Sequence, residues 1–147
     1  SVQSFGLIVG VFLQVIGLGF VIYQLKRVNT SIRVSAQSAL YQQSAAIRQL
    51  LVEHPDLRKY IFDGVHASPD LDEYDRVRTV AEMALNYLEH LVIQEGSLRK
   101  HDQNAWQRFV VRTLSNSPVM QDILDENPES YSTDLVETYR RSTLDTG

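Results

Sequence analysis

Phe5-Gly-Leu-Ile-Val-Gly-Val-Phe-Leu-Gln-Val-Ile-Gly-Leu-Gly-Phe-Val-Ile-Tyr-Gln-Leu25 runs without a formal charge, and its reading decides the fold. As an α-helix these residues extend about 31 Å, close to a bilayer hydrocarbon core of roughly 30 Å. Lipid offers no water to an open backbone, so a lone segment can bond its own N–H and C=O groups only as a helix. A cleaved signal peptide is the competing reading. It calls for positive charges ahead of the run, a shorter run, and small residues just behind it. Here Lys26 and Arg27 follow the run, and the small pair Ala36 and Ala39 lies well downstream. A buried helix of a soluble protein seldom runs this long without charge. The expectation is a transmembrane anchor over residues 1–25.

Lys26, Arg27 and Arg33 flank the C-terminal end of the run, and nothing basic precedes it. These three cations suit the headgroup layer, and the positive-inside bias puts the following domain in the cytoplasm and Ser1 outside. Charge continues to sort along the chain. Lys26 to Lys59 holds six basic and two acidic residues, Tyr60 to Ser117 six and nine, and Pro118 to Gly147 two and seven. The near end therefore suits anionic lipid and the far end water. A nucleic-acid partner would need a dense basic face on the folded domain, so none is expected.

Within the anchor, Gly6 and Gly10 form a GxxxG pair, and Gln14 and Gly17 continue the same face. Small residues let helix backbones approach, and a glutamine in hydrocarbon gains from an interhelical hydrogen bond. This face is the candidate contact with another membrane helix. The plainer reading is that glycine is common in membrane helices and one amide is tolerated.

No proline interrupts the chain until His54-Pro55, so the anchor is expected to continue as one helix through a juxtamembrane segment, residues 26–54. Its apolar or small positions recur every eleven residues, as Leu25, Ala36 and Ile47, then Val28, Ala39 and Leu50, then Ile32, Gln43 and His54. Eleven residues over three turns is 3.67 per turn, so such a stripe runs nearly straight or winds slightly right-handed. Two uses stand open for the stripe Leu25, Val28, Ile32, Ala36, Ala39, Gln43, Ile47 and Leu50: packing on the chain's own domain, or self-association.

The 122 residues after Leu25 suit one modest core. Residues 55–147 read as a helical domain. A short helix spans His54 to Gly64, with Leu57, Tyr60 and Ile61 inward, then a polar loop over Val65 to Asp72. A long amphipathic helix over about Glu73 to Glu95 carries Val77, Ala81, Ala84, Leu85, Leu88, Leu91 and Val92 on one stripe. A helix from about Asp102 to Leu114 buries Trp106, Phe109, Val110 and Leu114. Ser117-Pro118 starts another with Val119, Ile123 and Leu124, and Asn127-Pro128 starts the last with Leu135, Val136 and Tyr139. Asn and Ser before proline match N-cap and first-turn preferences. No segment alternates with period two, so the fold class is all-α, a single transmembrane helix continuing into a cytoplasmic helical bundle.

Chemistry-bearing patterns are missing from the sequence. The chain has no cysteine, which excludes disulfides, thiolate metal sites and cysteine nucleophiles. His54, His66, His90 and His101 form neither HExxH nor the Glu-x-x-His spacing of di-iron bundles. No serine sits in a GxSxG elbow, and no glycine-rich loop leads into Lys-Ser or Lys-Thr. Asp70, Asp72, Glu73 and Asp75 sit at a helix start, where negative charge suits the dipole, without the glycine or spacing of a calcium loop. No catalytic residue, cofactor or metal is expected.

The order of uncharged anchor, basic juxtamembrane helix, His54-Pro-Asp-Leu57, Tyr60-Ile-Phe-Asp-Gly64 and a helix with Trp106 and Phe109 resembles a class of bacterial single-pass membrane proteins with a cytoplasmic helical domain of unknown function. The resemblance covers most of the chain, implies a bacterial source, and brings no catalytic residue with it. The expectation is a non-enzymatic interaction protein of the bacterial inner membrane, an accessory subunit of a larger membrane complex. Its partners would be the lipid bilayer and another membrane protein or a second copy. A homo-oligomeric scaffold or signalling adaptor is the alternative, and a membrane-tethered enzyme or ligand sensor a third.

Overall fold

A computed structural model describes residues 1–94, 96 and 100–144, with backbone alone for 100–102. Six α-helices occur among them: α1 Val2–Glu53, α2 Arg58–Phe62, α3 Tyr74–Gln94, α4 Lys100–Ser115, α5 Pro118–Glu126 and α6 Thr133–Leu144. Two 3-10 turns, Pro55–Leu57 and Pro128–Ser130, complete the order, and the described residues include no strand. The chain divides into two compact units, Ser1–Ala39 and Leu40–Gly147.

The first unit consists of α1 residues. Helix α1 passes unbroken through Asn29-Thr30-Ser31, where Thr30 Oγ1 donates to the Lys26 carbonyl at 2.9 Å. That back-bond satisfies the threonine hydroxyl on the helix itself. No side chain of Ser1–Ala39 is buried, and only Ala36 is half-buried.

The second unit begins with the last part of α1, which contributes Leu40, Ile47 and Leu51 to the core. Helix α1 stops where proline forbids the next turn. His54, ahead of Pro55, takes φ −129° and ψ 72°, outside the helical region. The chain turns through Pro55–Leu57 into α2, and Leu57, Tyr60 and Ile61 are all buried, as their spacing requires. Gly64 follows at φ +74°, a left-handed conformation that glycine adopts without strain, and its N–H donates to the Asn116 carbonyl at 2.8 Å.

Helix α3 is the central element, touching α2, α4, α5 and α6. Val77, Ala81, Ala84, Leu85, Leu88 and Leu91 are buried and Val92 is half-buried. Each fully buried leucine contributes about 1.5–3 kcal/mol relative to an exposed one. Val80 and Tyr87 are buried as well, because helices lie on more than one side of α3 and widen its apolar stripe. Gln94 is its last described helical residue, and Glu95, the end expected from the sequence, lies outside the described residues.

Three expectations need correction. Trp106 and Phe109 are half-buried, unlike Val110 and Leu114, which are fully inside. Their rings meet edge to face at 6.1 Å on the rim of the core. Ser117 occupies the N-cap position of α5 without capping it, because its buried hydroxyl donates to the Tyr60 carbonyl at 3.0 Å. The last helix starts at Thr133, since Tyr131 is extended at φ −122° and ψ 160° and separates it from the Pro128 turn. Leu135, Val136 and Tyr139 are nevertheless buried as expected.

Candidate functional site

The most apolar part of α1 has an 18-residue window of mean hydropathy 2.5, none of it buried. Among the described residues there is thus one helix long and apolar enough to cross a membrane. In the core helix of a soluble protein such a window would be mostly buried, and here none of it is. Gly6, Gly10 and Gly17 lie open: a Cβ added at any of them meets no atom within 4 Å. Gln14 is exposed beside them. Lys26 and Arg27 are exposed, as is Arg33.

The eleven-residue stripe divides at the boundary between the units. Leu25, Val28 and Ile32 are 63, 55 and 61 % exposed, and Ala39 is exposed too. In the second unit Ile47 is 7 % exposed, and Gln43 and Leu50 are half-buried. Gln43 Oε1 lies 2.9 Å from His90 Nδ1 of α3, so an amide on a mostly apolar stripe finds a ring nitrogen within its own domain. The stretch Gln43 to Leu50 therefore packs on the chain's own bundle. The residues from Leu25 to Ile32 have no such cover within the Ser1–Ala39 unit.

The histidines stand apart. His54 lines an open groove of about 330 Å³ with Ala46, Gln49, Leu50, Glu53 and Arg76. Glu53 accepts from Gln49 at 3.0 Å, and Arg76 pairs with Glu73 at 3.6 Å, and the lining includes no serine, threonine or cysteine. His66 is 3.8 Å from Asp122, both well exposed. The His101 side chain lies outside the described residues. Among the described residues no three His, Asp or Glu side chains converge as metal ligands.

The strongest polar features bind helices to one another. Arg78 Nη2 donates to Glu126 Oε2 at 2.6 Å, and its Nε lies 3.6 Å from Glu82. Hydrogen bonds to Glu126 and Tyr74 push the Arg78 guanidinium further up, and Arg78 in turn holds the Glu126 carboxyl below its ordinary value. Tyr139 donates its hydroxyl to Asp125 at 3.0 Å, and burial together with that bond raises its phenol to about 12. Burial likewise raises Tyr131, helped by the nearby Glu82 and Glu89 carboxylates. The Glu89 carboxylate accepts the Ser132 N–H just ahead of α6. These pairs join α3 to α5, α5 to α6, and α3 to the start of α6.

Sequence reading missed all of them. The pairs between elements, Arg78–Glu126, Glu89–Ser132 and Tyr139–Asp125, are 48, 43 and 14 positions apart, and no local spacing marks such a pair. Comparison with family models, curated proteins and solved structures finds no match to this chain.

Proposed function

We propose that this chain is a non-enzymatic, membrane-anchored interaction protein, an accessory subunit of a larger complex in a bacterial inner membrane. In this reading Phe5 to Leu25 crosses the bilayer once. Lys26, Arg27 and Arg33 meet the cytoplasmic headgroups, the N-terminus is outside, and the helical bundle lies in the cytoplasm. The observation that carries the reading is a charge-free apolar window with no residue buried, directly followed by those three cations. An apolar surface of this extent is stable in water only when something covers it, and lipid fits its length.

The polar pairs of the bundle also favour binding over catalysis. Arg78–Glu126, Tyr139–Asp125 and Glu89–Ser132 N–H each hold two elements together. A homo-oligomeric scaffold or signalling adaptor is the second reading, favoured by the uncovered face of Leu25, Val28 and Ile32.

Topology tests the proposal. The chain has no cysteine, so single cysteines at Ser4 and Ser115, both exposed, can be labelled in intact cells with a membrane-impermeant reagent. Label at position 4 alone is expected. Label at position 115 alone would reverse the orientation, and a soluble, carbonate-extractable chain would remove the anchor.

A further inference from the structure

Gly6, Gly10, Gln14 and Gly17 are separated by steps of four, four and three. Val21, Leu25 and Val28 repeat those steps from Gly17, and Ile32, Ala36 and Ala39 repeat them again. The glycine face of the apolar segment and the apolar stripe beyond it are therefore one seam. It keeps a single register for three successive repeats and lies entirely within the Ser1–Ala39 unit. Such a series keeps to one side of a helix, and two helices joined along it wind gently right-handed.

We propose that this seam packs against the same seam of a second copy of the chain, parallel and in register. The proposal rests on the membrane-anchored reading and names its partner. Lipid can cover Val21, but Val28 and Ile32 lie beyond the apolar run, and they stay more than half exposed in the chain itself. The continuation of the series shows what the register is suited to. In the second unit Gln43, Ile47 and Leu50 carry the same steps onward, and the bundle buries Ile47 and covers Gln43 and Leu50 in part. Protein packing is thus where this register leads when a protein surface is present.

Several features select a copy of the same chain as the occupant. Copies inserted under one charge bias share one topology, so they meet in parallel with identical residues at equal depth. Glycine then faces glycine, where backbones approach most closely. Gln14 faces Gln14, and an amide both donates and accepts, so the pair satisfies itself without a polar group from another protein. Lys26 follows Leu25, Arg27 precedes Val28 and Arg33 follows Ile32. One residue is about 100° round a helix, so all three cations stand off the seam and two copies bring no like charges together.

Cysteine cross-linking of the full chain in its membrane tests the pairing, because the native sequence has no cysteine to replace. Single cysteines at Val21, Leu25, Val28 and Ile32 lie on the seam. Those at Tyr23, Thr30 and Val34 each lie two residues past a seam position, about 200° round the helix. A disulfide forms without movement only when Cα atoms lie about 4.4–6.8 Å apart. Seam positions should therefore give several-fold more disulfide-linked dimer than the other three. Gly10→Leu should cut the yield at Val21 several-fold, and Gln14→Leu should cut it less. Equal yields in the two sets, stronger linking at Tyr23, Thr30 and Val34, or linking only to a different protein would overturn the pairing. Carbonate extraction of the same samples separates the two claims. A membrane-retained chain without homodimer overturns the pairing alone, whereas a chain released to the supernatant overturns the anchor and the pairing with it.

Discussion

Phe5–Leu25 and α3 are helical stretches of 21 residues each, and they solve opposite problems. Helix α3 carries five charged side chains, Asp75, Arg76, Arg78, Glu82 and Glu89, and places eight residues in the core. The apolar stretch carries no charge and buries nothing. Pattern, and not the amount of apolar surface, is what lets a helix be folded into its own chain. A helix with a polar side tells the rest of the chain which way to turn. One that is apolar all round gives no such direction.

The contrast is most easily broken by truncating the same residue type in each helix. Leu85→Ala in α3 removes a fully buried side chain and should cost about 2–5 kcal/mol of stability. Leu18→Ala, at an exposed site, should leave the unfolding of the bundle unchanged. Trp106 is the only tryptophan and sits half-buried on the core, so its fluorescence during urea unfolding in mild detergent reads both variants. Equal losses would mean that the apolar stretch packs on the bundle after all.

Adding charge inverts the test. Leu18→Arg places a guanidinium near the middle of the proposed span, which costs about 2.5–3.5 kcal/mol of insertion free energy. The fraction of chain resisting carbonate extraction should fall accordingly. Asn86→Arg on the exposed side of α3 should change the unfolding free energy by no more than about 0.5 kcal/mol. Retention of Leu18→Arg at the native level would remove the bilayer from the comparison.

The smallest effect sharpens the description of the bundle. Tyr139→Phe deletes the hydroxyl that donates to Asp125 and should cost about 0.5–1.5 kcal/mol. The native phenol is raised from 10.0 to about 12. A raised value favours the neutral form in the folded state, so its contribution is complete below pH 10 and is lost as pH rises through about 12. Urea midpoints measured between those limits should decline in the native chain and decline less in Tyr139→Phe. Identical slopes would mean that the phenol titrates alike in the folded and unfolded chain.

Much of the fold is legible in the sequence wherever one residue's environment depends on its near neighbours. The period of Val77 to Leu91 marks α3, and Pro55 and Pro118 mark turns that the structure contains. What is not legible depends on residues far away. Val80 and Tyr87 look like off-stripe positions until helices arrive on other sides of α3. Ser117 looks like a cap until the Tyr60 carbonyl, 57 positions earlier, takes its hydroxyl. The stripe from Leu25 to Leu50 is visible as a periodicity. Which of its residues the bundle covers depends on where α3 and the core lie, and spacing along α1 carries no such information.

The carboxylate of Glu89 holds the Ser132 N–H across 43 positions of chain, and this changes how the start of α6 can move. A terminal helix ordinarily frays, so its first amides exchange with solvent through small local openings. The Ser132 amide has a partner on α3, so its release needs the Glu89 carboxylate to let go as well as the helix start to open. Its hydrogen exchange should be slower in the native chain than in Glu89→Ala.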